Sequence, residues 1–286
     1  MASVGPAAAP RDLGASLGRL QAKLEGAAVR KTKDWFEGYL RHVITYRGVK
    51  TAVIRRLLGE WCTEEGLGLE EQKRLAYMLM KSEYAEDKFA SAIMLQSKLI
   101  PGGVIAWQDD LPIFAGFFDD GHIWDWSTCD WFCIRVLGML VERQQGPIER
   151  ERCARSIGDW RDAENLWRRR AACVSFVYLA KRGNEFFPGF QDMLLAICSS
   201  TIRSPERFHQ TGTGWLLREI GTADKHCLLT FCELHIEFFS SEGLRYALEK
   251  VPKAERNRFL NKFKASGAAQ GLDARKQGAK RKQEER

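Results

Sequence analysis

Apolar side chains recur every three or four residues along almost the whole chain, from residue 13 to residue 263. This spacing places them on one face of an α-helix, as in the first stripe, which consists of Leu13, Leu17, Leu20 and Leu24. The alternating apolar and polar runs that mark β-hairpins are absent from the sequence. The periodicity therefore predicts an all-α fold of about a dozen helices.

Short breaks rich in Gly and Pro separate the helical stretches. They fall at Arg47-Gly48, Gly66 to Gly68, Pro101 to Gly103, Gly146-Pro147, Arg182 to Asn184 and Ser204-Pro205. Successive helix pairs lie about 35–45 residues apart, without a strict sequence repeat. This spacing favours an α-α superhelix of degenerate HEAT/armadillo-like repeats, with a concave groove, over a four-helix bundle.

The composition excludes several classes of protein. No apolar run reaches the roughly 18 residues that a transmembrane helix needs, and the first ten residues lack the apolar core of a secretory signal. The eight cysteines have no CxxC spacing, which indicates reduced thiols of an intracellular protein. Cys129 and Cys133 share a helical face, but no second ligand pair accompanies them. We therefore expect no membrane contact, no metal and no cofactor.

Positive charge is concentrated near the C-terminus. Of the formal net charge of +7, residues 264–286 carry +4, with seven Lys or Arg against three acids. We expect a disordered N-terminus over 1–12, a HEAT-like repeat domain over 13–263 and a disordered basic tail over 264–286. Outside the tail the net charge is only +3, so binding to a polyanion needs cations gathered on one face.

Within the tail, the run from Arg275 to Lys282 resembles a nuclear-import signal and favours the nucleus. The alternative is a solvated tail with generic affinity for nucleic acid, in a protein of the cytoplasm or an organelle. The first 30 residues contain three Arg and few acids, which keeps an organellar destination open.

Three tryptophans crowd into the run from Trp124 to Phe132. Trp126 and Asp130 are four residues apart, so they share one face of a helix. The alternative for Asp130 is a capping box with Ser127, in which both side chains bind backbone N–H groups. We expect most of the nine tryptophans to lie in the core.

Arg170 lies on the apolar face of its helix, together with Leu166, Trp167, Val174 and Val177. A buried guanidinium needs a partner, which is either an internal carboxylate or a bound phosphate. Arg168 and Arg169 are predicted to point to solvent.

Two glycines, Gly212 and Gly214, interrupt a helical pattern next to Trp215. Each weakens the helix by about 1 kcal/mol relative to Ala. They either let a ligand or another chain approach Trp215, or let a core tryptophan pack against a neighbouring repeat.

Taken together, these motifs resemble the DNA alkylation repair enzyme family, the AlkD type of HEAT-like alkylpurine glycosylase. The matching residues are Trp126 with Asp130, Trp167 with Arg170-Ala171-Ala172, and Gly214-Trp215-Leu216-Leu217-Arg218-Glu219. A weaker match is Gly48-Val49-Lys50-Thr51, followed by Ala52 where the family usually has Pro. The resemblance spans residues 30–240.

The resemblance implies a monofunctional DNA glycosylase of base-excision repair. Such an enzyme acts as a monomer on double-stranded DNA and releases cationic alkylated purines, N3-methyladenine and N7-methylguanine, without a deep base-flipping pocket. Asp130 would stabilise the oxocarbenium-like transition state, and Trp126 and Trp215 would cradle the lesion nucleotide. Arg170 would hold a backbone phosphate.

Further phosphate contacts are predicted for Lys50, Arg168, Arg169 and Arg218. Two other functions stay open: a non-catalytic HEAT-repeat protein that binds distorted or branched DNA, and a protein-interaction scaffold. The scaffold has no need for a carboxylate, an arginine and two tryptophans in one groove.

Overall fold

The computed structural model describes residues 12–267 of the chain. Within this range the regular elements are helices, and the only pairing of extended backbone is an isolated bridge between Thr45 and Tyr84. The predicted all-α class is confirmed. None of the described helices combines the length and the apolar character needed to span a membrane. The expected disordered segments, except for Asp12 and residues 264–267, lie outside the described residues.

Contacts divide the chain into two compact units, with the division after Val104. In the first unit the α-helices are α1 (Leu13–Gly26), α2 (Arg30–Tyr39), α3 (Thr51–Glu65), α4 (Leu69–Met80) and α5 (Ala85–Met94). A π-helical turn, Leu95–Leu99, continues α5. Helix α5 is buried along its whole length because α3 and α4 pack against it.

A buried carboxylate holds the loop that contains the weaker sequence motif. Glu86 of α5 accepts hydrogen bonds from the backbone N–H groups of Arg47, Gly48 and Val49, at 2.9, 2.8 and 2.9 Å. Gly48 has φ +103°, and a Cβ there would lie 2.5 Å from a backbone carbonyl oxygen. Only glycine fits this position. The motif Gly48 to Thr51 therefore determines the conformation of the loop that leads into α3.

The second unit contains ten α-helices in the described residues. They are α6 (Trp107–Asp119), α7 (Trp126–Phe132), α8 (Gly138–Glu142), α9 (Gly146–Gly158), α10 (Leu166–Val174), α11 (Phe190–Thr201), α12 (Arg207–Ala223), α13 (Lys225–Leu234), α14 (Ser241–Ala247) and α15 (Lys253–Ala265). A π-helical turn (Cys133–Leu137) and 3₁₀ turns (Asp159–Asp162, Ala180–Glu185, Ile236–Phe238) connect some of them.

Several predicted breaks separate helices in the structure. Gly66 ends α3 in the left-handed conformation (φ 57°, ψ 41°), and Gly146-Pro147 opens α9. The break at Arg182 to Asn184 falls in a 3₁₀ turn, where Gly183 has φ 49° and ψ −148°. Glycine occurs at these positions because it adopts positive φ angles that other residues adopt less readily, and proline occurs because its ring fixes φ.

Helix α12 occupies the centre of the second unit, where it packs against α10, α11, α13 and α14. Its contact with α14 is close enough to exclude a side chain. A Cβ on Gly214 would lie 2.4 Å from the carbonyl oxygen of Gly243 and 2.9 Å from Cβ of Tyr246. Gly214 therefore serves helix–helix packing.

Replacing Gly214 with Ala should separate α12 from α14 and lower the free energy of unfolding by about 1–3 kcal/mol, as overpacked cores do. Urea unfolding monitored by circular dichroism measures this change. The matched control is Gly116→Ala in α6, where a Cβ would meet only Asp120 Oδ2 at 3.7 Å. A Gly214 variant as stable as this control would contradict the close packing.

Candidate functional site

Asp125, and not Asp130, caps the helix that carries the tryptophan cluster. The Asp125 carboxylate accepts from the backbone N–H groups of Ser127 and Thr128, at 2.8 and 3.0 Å, and from the Thr128 hydroxyl. Helix α7 therefore begins at Trp126, and Asp130 lies one turn inside it. The capping-box interpretation of Ser127 and Asp130 is wrong because a residue closer to the helix start already fills that role.

The Asp130 carboxylate forms a two-pronged ion pair with Arg170 of α10. Arg170 Nε donates to Oδ1 at 2.8 Å and Nη2 donates to Oδ2 at 2.9 Å. Only 6% of the Arg170 side chain and 13% of the Asp130 side chain are exposed. The sequence predicted either an internal carboxylate or a bound phosphate as the partner of Arg170. In the structure the partner is an internal carboxylate, that of Asp130.

Helix α12 completes the surroundings of the guanidinium. Arg170 Nη1 donates to the backbone oxygen of Phe208 at 2.7 Å and to the Thr211 hydroxyl at 3.2 Å. A Cβ on Gly212 would lie 3.2 Å from Nη1 and 3.4 Å from Cγ of Arg170. Gly212 therefore makes room for Arg170, which neither interpretation of the two glycines anticipated.

These contacts decide the electrostatics of the site. Burial alone lowers the pKa of Arg170, but the charge and hydrogen bonds of Asp130 outweigh burial and raise it above the ordinary value. Four of the five guanidinium N–H groups are engaged by protein acceptors. A DNA phosphate would have to compete with Asp130, so the predicted phosphate role of Arg170 no longer follows from its burial.

The two predicted substrate-facing tryptophans flank this ion pair along their helices. Trp126 lies one turn before Asp130 on α7, and Trp215 lies one turn after Thr211 on α12. Helix α10 packs against both of these helices. Both indoles are half-buried. The indole N–H of Trp215 is buried and has no hydrogen-bond partner within residues 12–267.

The expectation that most tryptophans lie in the core is wrong. Of the nine, only Trp61 and Trp160 are buried, and Trp35 is 61% exposed. The other six are half-buried. Indoles often keep one edge at the surface because the ring is large and its N–H is polar. Half-burial therefore does not by itself distinguish Trp126 and Trp215 from the other tryptophans.

Arg168 and Arg169 are half-buried, so their predicted orientation toward solvent is wrong. Arg168 Nη1 donates to Asp119 Oδ2 at 2.6 Å, and its guanidinium lies 5.2 Å from the ring centre of Trp160. Arg169 donates through Nε and Nη2 to the backbone oxygen of Ala163, at 2.9 and 2.5 Å. Both side chains fold back onto the protein because these acceptors lie within their reach.

The remaining predicted phosphate ligands differ in their surroundings. Arg218 donates to Glu219 Oε1 at 2.9 Å and to Glu249, and its guanidinium lies 5.8 Å from the ring centre of Trp215. Lys50 is exposed at the N-cap of α3, in the first unit. Phosphate binding by these residues stays a prediction.

His209 links α10 to α12 and was not singled out by the sequence. Its Nε2 donates to the backbone oxygen of Leu166 at 3.0 Å, so Nδ1 accepts from the Ser204 hydroxyl at 2.7 Å. Burial lowers its pKa from 6.5 to about 4. As a lone histidine without a recognisable motif, it gave no sequence signal.

The Cys129 and Cys133 sulfur atoms lie 3.8 Å apart beside Asp130. Burial raises the pKa of Cys129 well above its ordinary value, and Cys133 adds to the effect. The described residues include no group of three or more His, Cys, Asp or Glu placed to hold a metal ion.

Comparison with known proteins gives a family match and a similar solved structure. The family model for DNA alkylation repair enzymes matches residues 20–251. A solved structure of a predicted DNA alkylation repair enzyme from Enterococcus faecalis is similar, with a TM-score of 0.65 and 16% identity. The match covers 79% of this chain and 97% of that one. No curated protein matches the sequence.

His209 makes the stability of the fold depend on pH. As pH falls below about 6.5, the unfolded chain takes up a proton that the native state refuses until about pH 4. The free energy of unfolding should therefore decrease by up to about 3 kcal/mol as the pH falls from about 6.5 to about 4. Above about pH 6.5 His209 causes no such loss of stability.

Chemical denaturation at a series of pH values measures this dependence. The variant His209→Gln should lose most of the slope between pH 6.5 and 4, whereas the exposed His226→Gln should keep it. Equal slopes in both variants would contradict the assignment to His209.

Proposed function

Because the chain belongs to the DNA alkylation repair enzyme family, we propose that it is a monofunctional DNA glycosylase. Its substrates are cationic alkylated purines in double-stranded DNA, such as N3-methyladenine and N7-methylguanine, and it acts as a monomer. The observation that carries the proposal is the Asp130 carboxylate, which Arg170 holds through two hydrogen bonds. Asp130 shares α7 with Trp126, and Arg170 also contacts α12, the helix that bears Trp215.

The proposed reaction needs a fixed negative charge more than it needs an acid. The alkylated purine is already cationic, and when the C1′–N9 bond breaks, the bonding electrons neutralise the base. The deoxyribose becomes oxocarbenium-like, and a carboxylate beside C1′ stabilises it. Water then forms the new C–O bond and loses a proton.

Asp130 suits this role because its carboxylate is held and still accessible. Each oxygen accepts one hydrogen bond from Arg170 and keeps further acceptor capacity. Its side chain is 13% exposed, whereas that of Arg170 is 6% exposed. In this proposal Arg170 is a positioning residue that acts through Asp130, and α12 fixes Arg170 in turn.

Trp126 lies one turn from Asp130 on α7, and Trp215 lies on α12, the helix that contacts Arg170. Their indoles would contribute electron-rich faces to the site. A cationic base or an oxocarbenium-like sugar gains about 0.5–2 kcal/mol over such a face. We propose that Trp126 and Trp215 contact the lesion nucleotide without a deep pocket.

Asp130→Asn should reduce the rate of N7-methylguanine release by about 100-fold or more, because it removes the transition-state charge. Thermal unfolding verifies that this variant is folded, since Arg170 loses its carboxylate partner. Single-turnover release from methylated duplex DNA measures this rate. The matched control is Glu242→Gln, which breaks an exposed two-pronged pair with Arg207 (2.8 and 2.6 Å). This control should retain the wild-type rate.

Absence of release by the wild-type protein would contradict the glycosylase proposal. If that protein still bound duplex DNA, and bound bulged or branched DNA more tightly, the non-catalytic alternative would replace it. If it bound no DNA, the protein-interaction scaffold would be favoured.

We also propose that the protein acts in the nucleus, with the run Arg275 to Lys282 as its import signal. Changing Lys280, Arg281 and Lys282 to Ala should abolish nuclear enrichment of a fluorescent fusion, because import receptors recognise clustered positive charge. The control changes Arg11, Arg19 and Arg30 to Ala and should leave nuclear enrichment intact. Organellar signal from the wild-type fusion would contradict the proposal.

A further inference from the structure

Tyr246 is an exposed aromatic side chain next to the helix that carries Trp215. It lies on α14 and is 41% exposed. A Cβ on Gly214 would lie 2.9 Å from Cβ of Tyr246, so the tyrosine side chain begins beside the residue that precedes Trp215. Its hydroxyl forms no hydrogen bond with another residue of the range 12–267. Packing therefore accounts for the Cβ of this tyrosine, but not for its exposed ring and hydroxyl.

One face of α12 connects this tyrosine to the Asp130 site. Thr211 accepts a hydrogen bond from Arg170 at 3.2 Å, and Arg170 holds Asp130. Gly214 lies three residues after Thr211, on the same face of the helix, and packs against α14. The face of α12 that contacts the ion pair therefore also borders the tyrosine.

Arg207 gives a second link between the tyrosine and the ion pair. Its guanidinium lies 5.4 Å from the ring centre of Phe208, and the guanidinium of Arg170 lies 5.9 Å from the same ring. A hydrogen bond with Glu242 is the main cause that raises the pKa of Arg207. Tyr246 adds to this rise, whereas Arg170 opposes it. Arg170 and Tyr246 therefore both lie within electrostatic range of one side chain.

The two arginines of α12 that flank this tyrosine are paired with carboxylates. Arg207 donates to both carboxylate oxygens of Glu242, and Arg218 is paired with Glu249. Glu242 lies one turn before Tyr246, and Glu249 lies three residues after it. Tyr246 therefore lies between two ion pairs that join α12 to α14. A phosphate near either arginine would also meet a carboxylate, which repels it.

A tyrosine suits this position because it contacts a nucleic acid without carrying a charge. Its ring can pack against a deoxyribose, and its hydroxyl can donate a hydrogen bond to a phosphate oxygen. Such contacts fix where a duplex lies on a protein without reading its base sequence.

We propose that Tyr246 is a substrate-binding residue that contacts the sugar-phosphate backbone beside the lesion. Its ring lies against a deoxyribose and its hydroxyl donates to a phosphate. Because this contact is the same before and during the reaction, it strengthens binding without raising the rate at saturation. The inference rests on the proposed function, since it takes alkylated duplex DNA as the substrate.

Single-turnover release of N7-methylguanine at a series of protein concentrations tests this inference. Tyr246→Ala should raise the protein concentration that gives the half-maximal rate by about tenfold, and change the maximal rate by less than about threefold. Tyr246→Phe keeps the ring and should raise this concentration by about threefold, because it loses only a hydrogen bond. The slope of log affinity against log salt should stay at the wild-type value in both variants, since no charge is lost.

The matched control is Tyr178→Ala, which removes another exposed tyrosine of the second unit, in the turn that follows α10. It should keep the wild-type rate and concentration dependence. Thermal unfolding verifies that all variants are folded.

A duplex with a tetrahydrofuran residue in place of the lesion measures binding without base release. Single methylphosphonates, which remove the charge of one phosphate, locate the contact along this duplex. At the phosphate that Tyr246 contacts, the loss of affinity should be smaller for Tyr246→Phe than for the wild type, because both changes remove the same hydrogen bond.

A wild-type concentration dependence in Tyr246→Ala would overturn the inference, and so would an equal shift in Tyr178→Ala. A fall in the maximal rate alone would also overturn it, because it would place Tyr246 in the chemical step. Methylphosphonate losses that are equal in the wild type and Tyr246→Phe at every position would contradict the phosphate contact.

The inference and the glycosylase proposal fail separately. Release of N7-methylguanine with an unchanged concentration dependence in Tyr246→Ala would contradict only the tyrosine contact. Binding of the tetrahydrofuran duplex that is weakened by Tyr246→Ala, without any base release by the wild type, would contradict only the glycosylase proposal.

Discussion

The buried pair between Asp130 and Arg170 is the interaction on which the arrangement of the second unit depends. Burying a guanidinium and a carboxylate is costly, and a well-packed apolar pair of similar size is often as stabilising. Removing one partner alone would leave an uncompensated charge, which is strongly destabilising. The pair therefore constrains α7 and α10 together, and Asp130, whose side chain is 13% exposed, is the residue through which this constraint can serve chemistry.

Helix α12 turns that pair into a three-helix assembly. It supplies acceptors to Arg170 from the Phe208 backbone and the Thr211 hydroxyl, and Gly212 leaves space for the guanidinium. Two residues later, Gly214 allows α14 to approach on another side. The two glycines lie in one helical turn but are required for different reasons. Gly212 leaves space for a side chain, Gly214 leaves space for a neighbouring helix, and both serve packing within the protein.

The charges divide into two groups with different consequences. On α10, Arg168 and Arg170 are paired with carboxylates, and Arg169 donates to a backbone carbonyl. Unmatched positive charge accumulates from Lys253 onward. Buried ion pairs can hold a side chain in position beside a reacting atom. Exposed cations instead attract a polyanion, and this attraction weakens as the salt concentration rises.

The sequence by itself determined the all-helical class, several breaks and the family, because helical periodicity, glycine conformations and motif spacing are local properties. It placed Asp130 and Trp126 on one face of α7 and Arg170 on the buried face of α10 for the same reason. Tertiary structure alone decided that Asp130 faces Arg170, that Arg168 and Arg169 fold back, and that His209 joins α10 to α12. Arg169 uses a nearby acceptor, the backbone oxygen of Ala163. The other contacts depend on acceptors that are distant in sequence, between about 40 and 50 residues away for Asp130, Asp119 and Leu166.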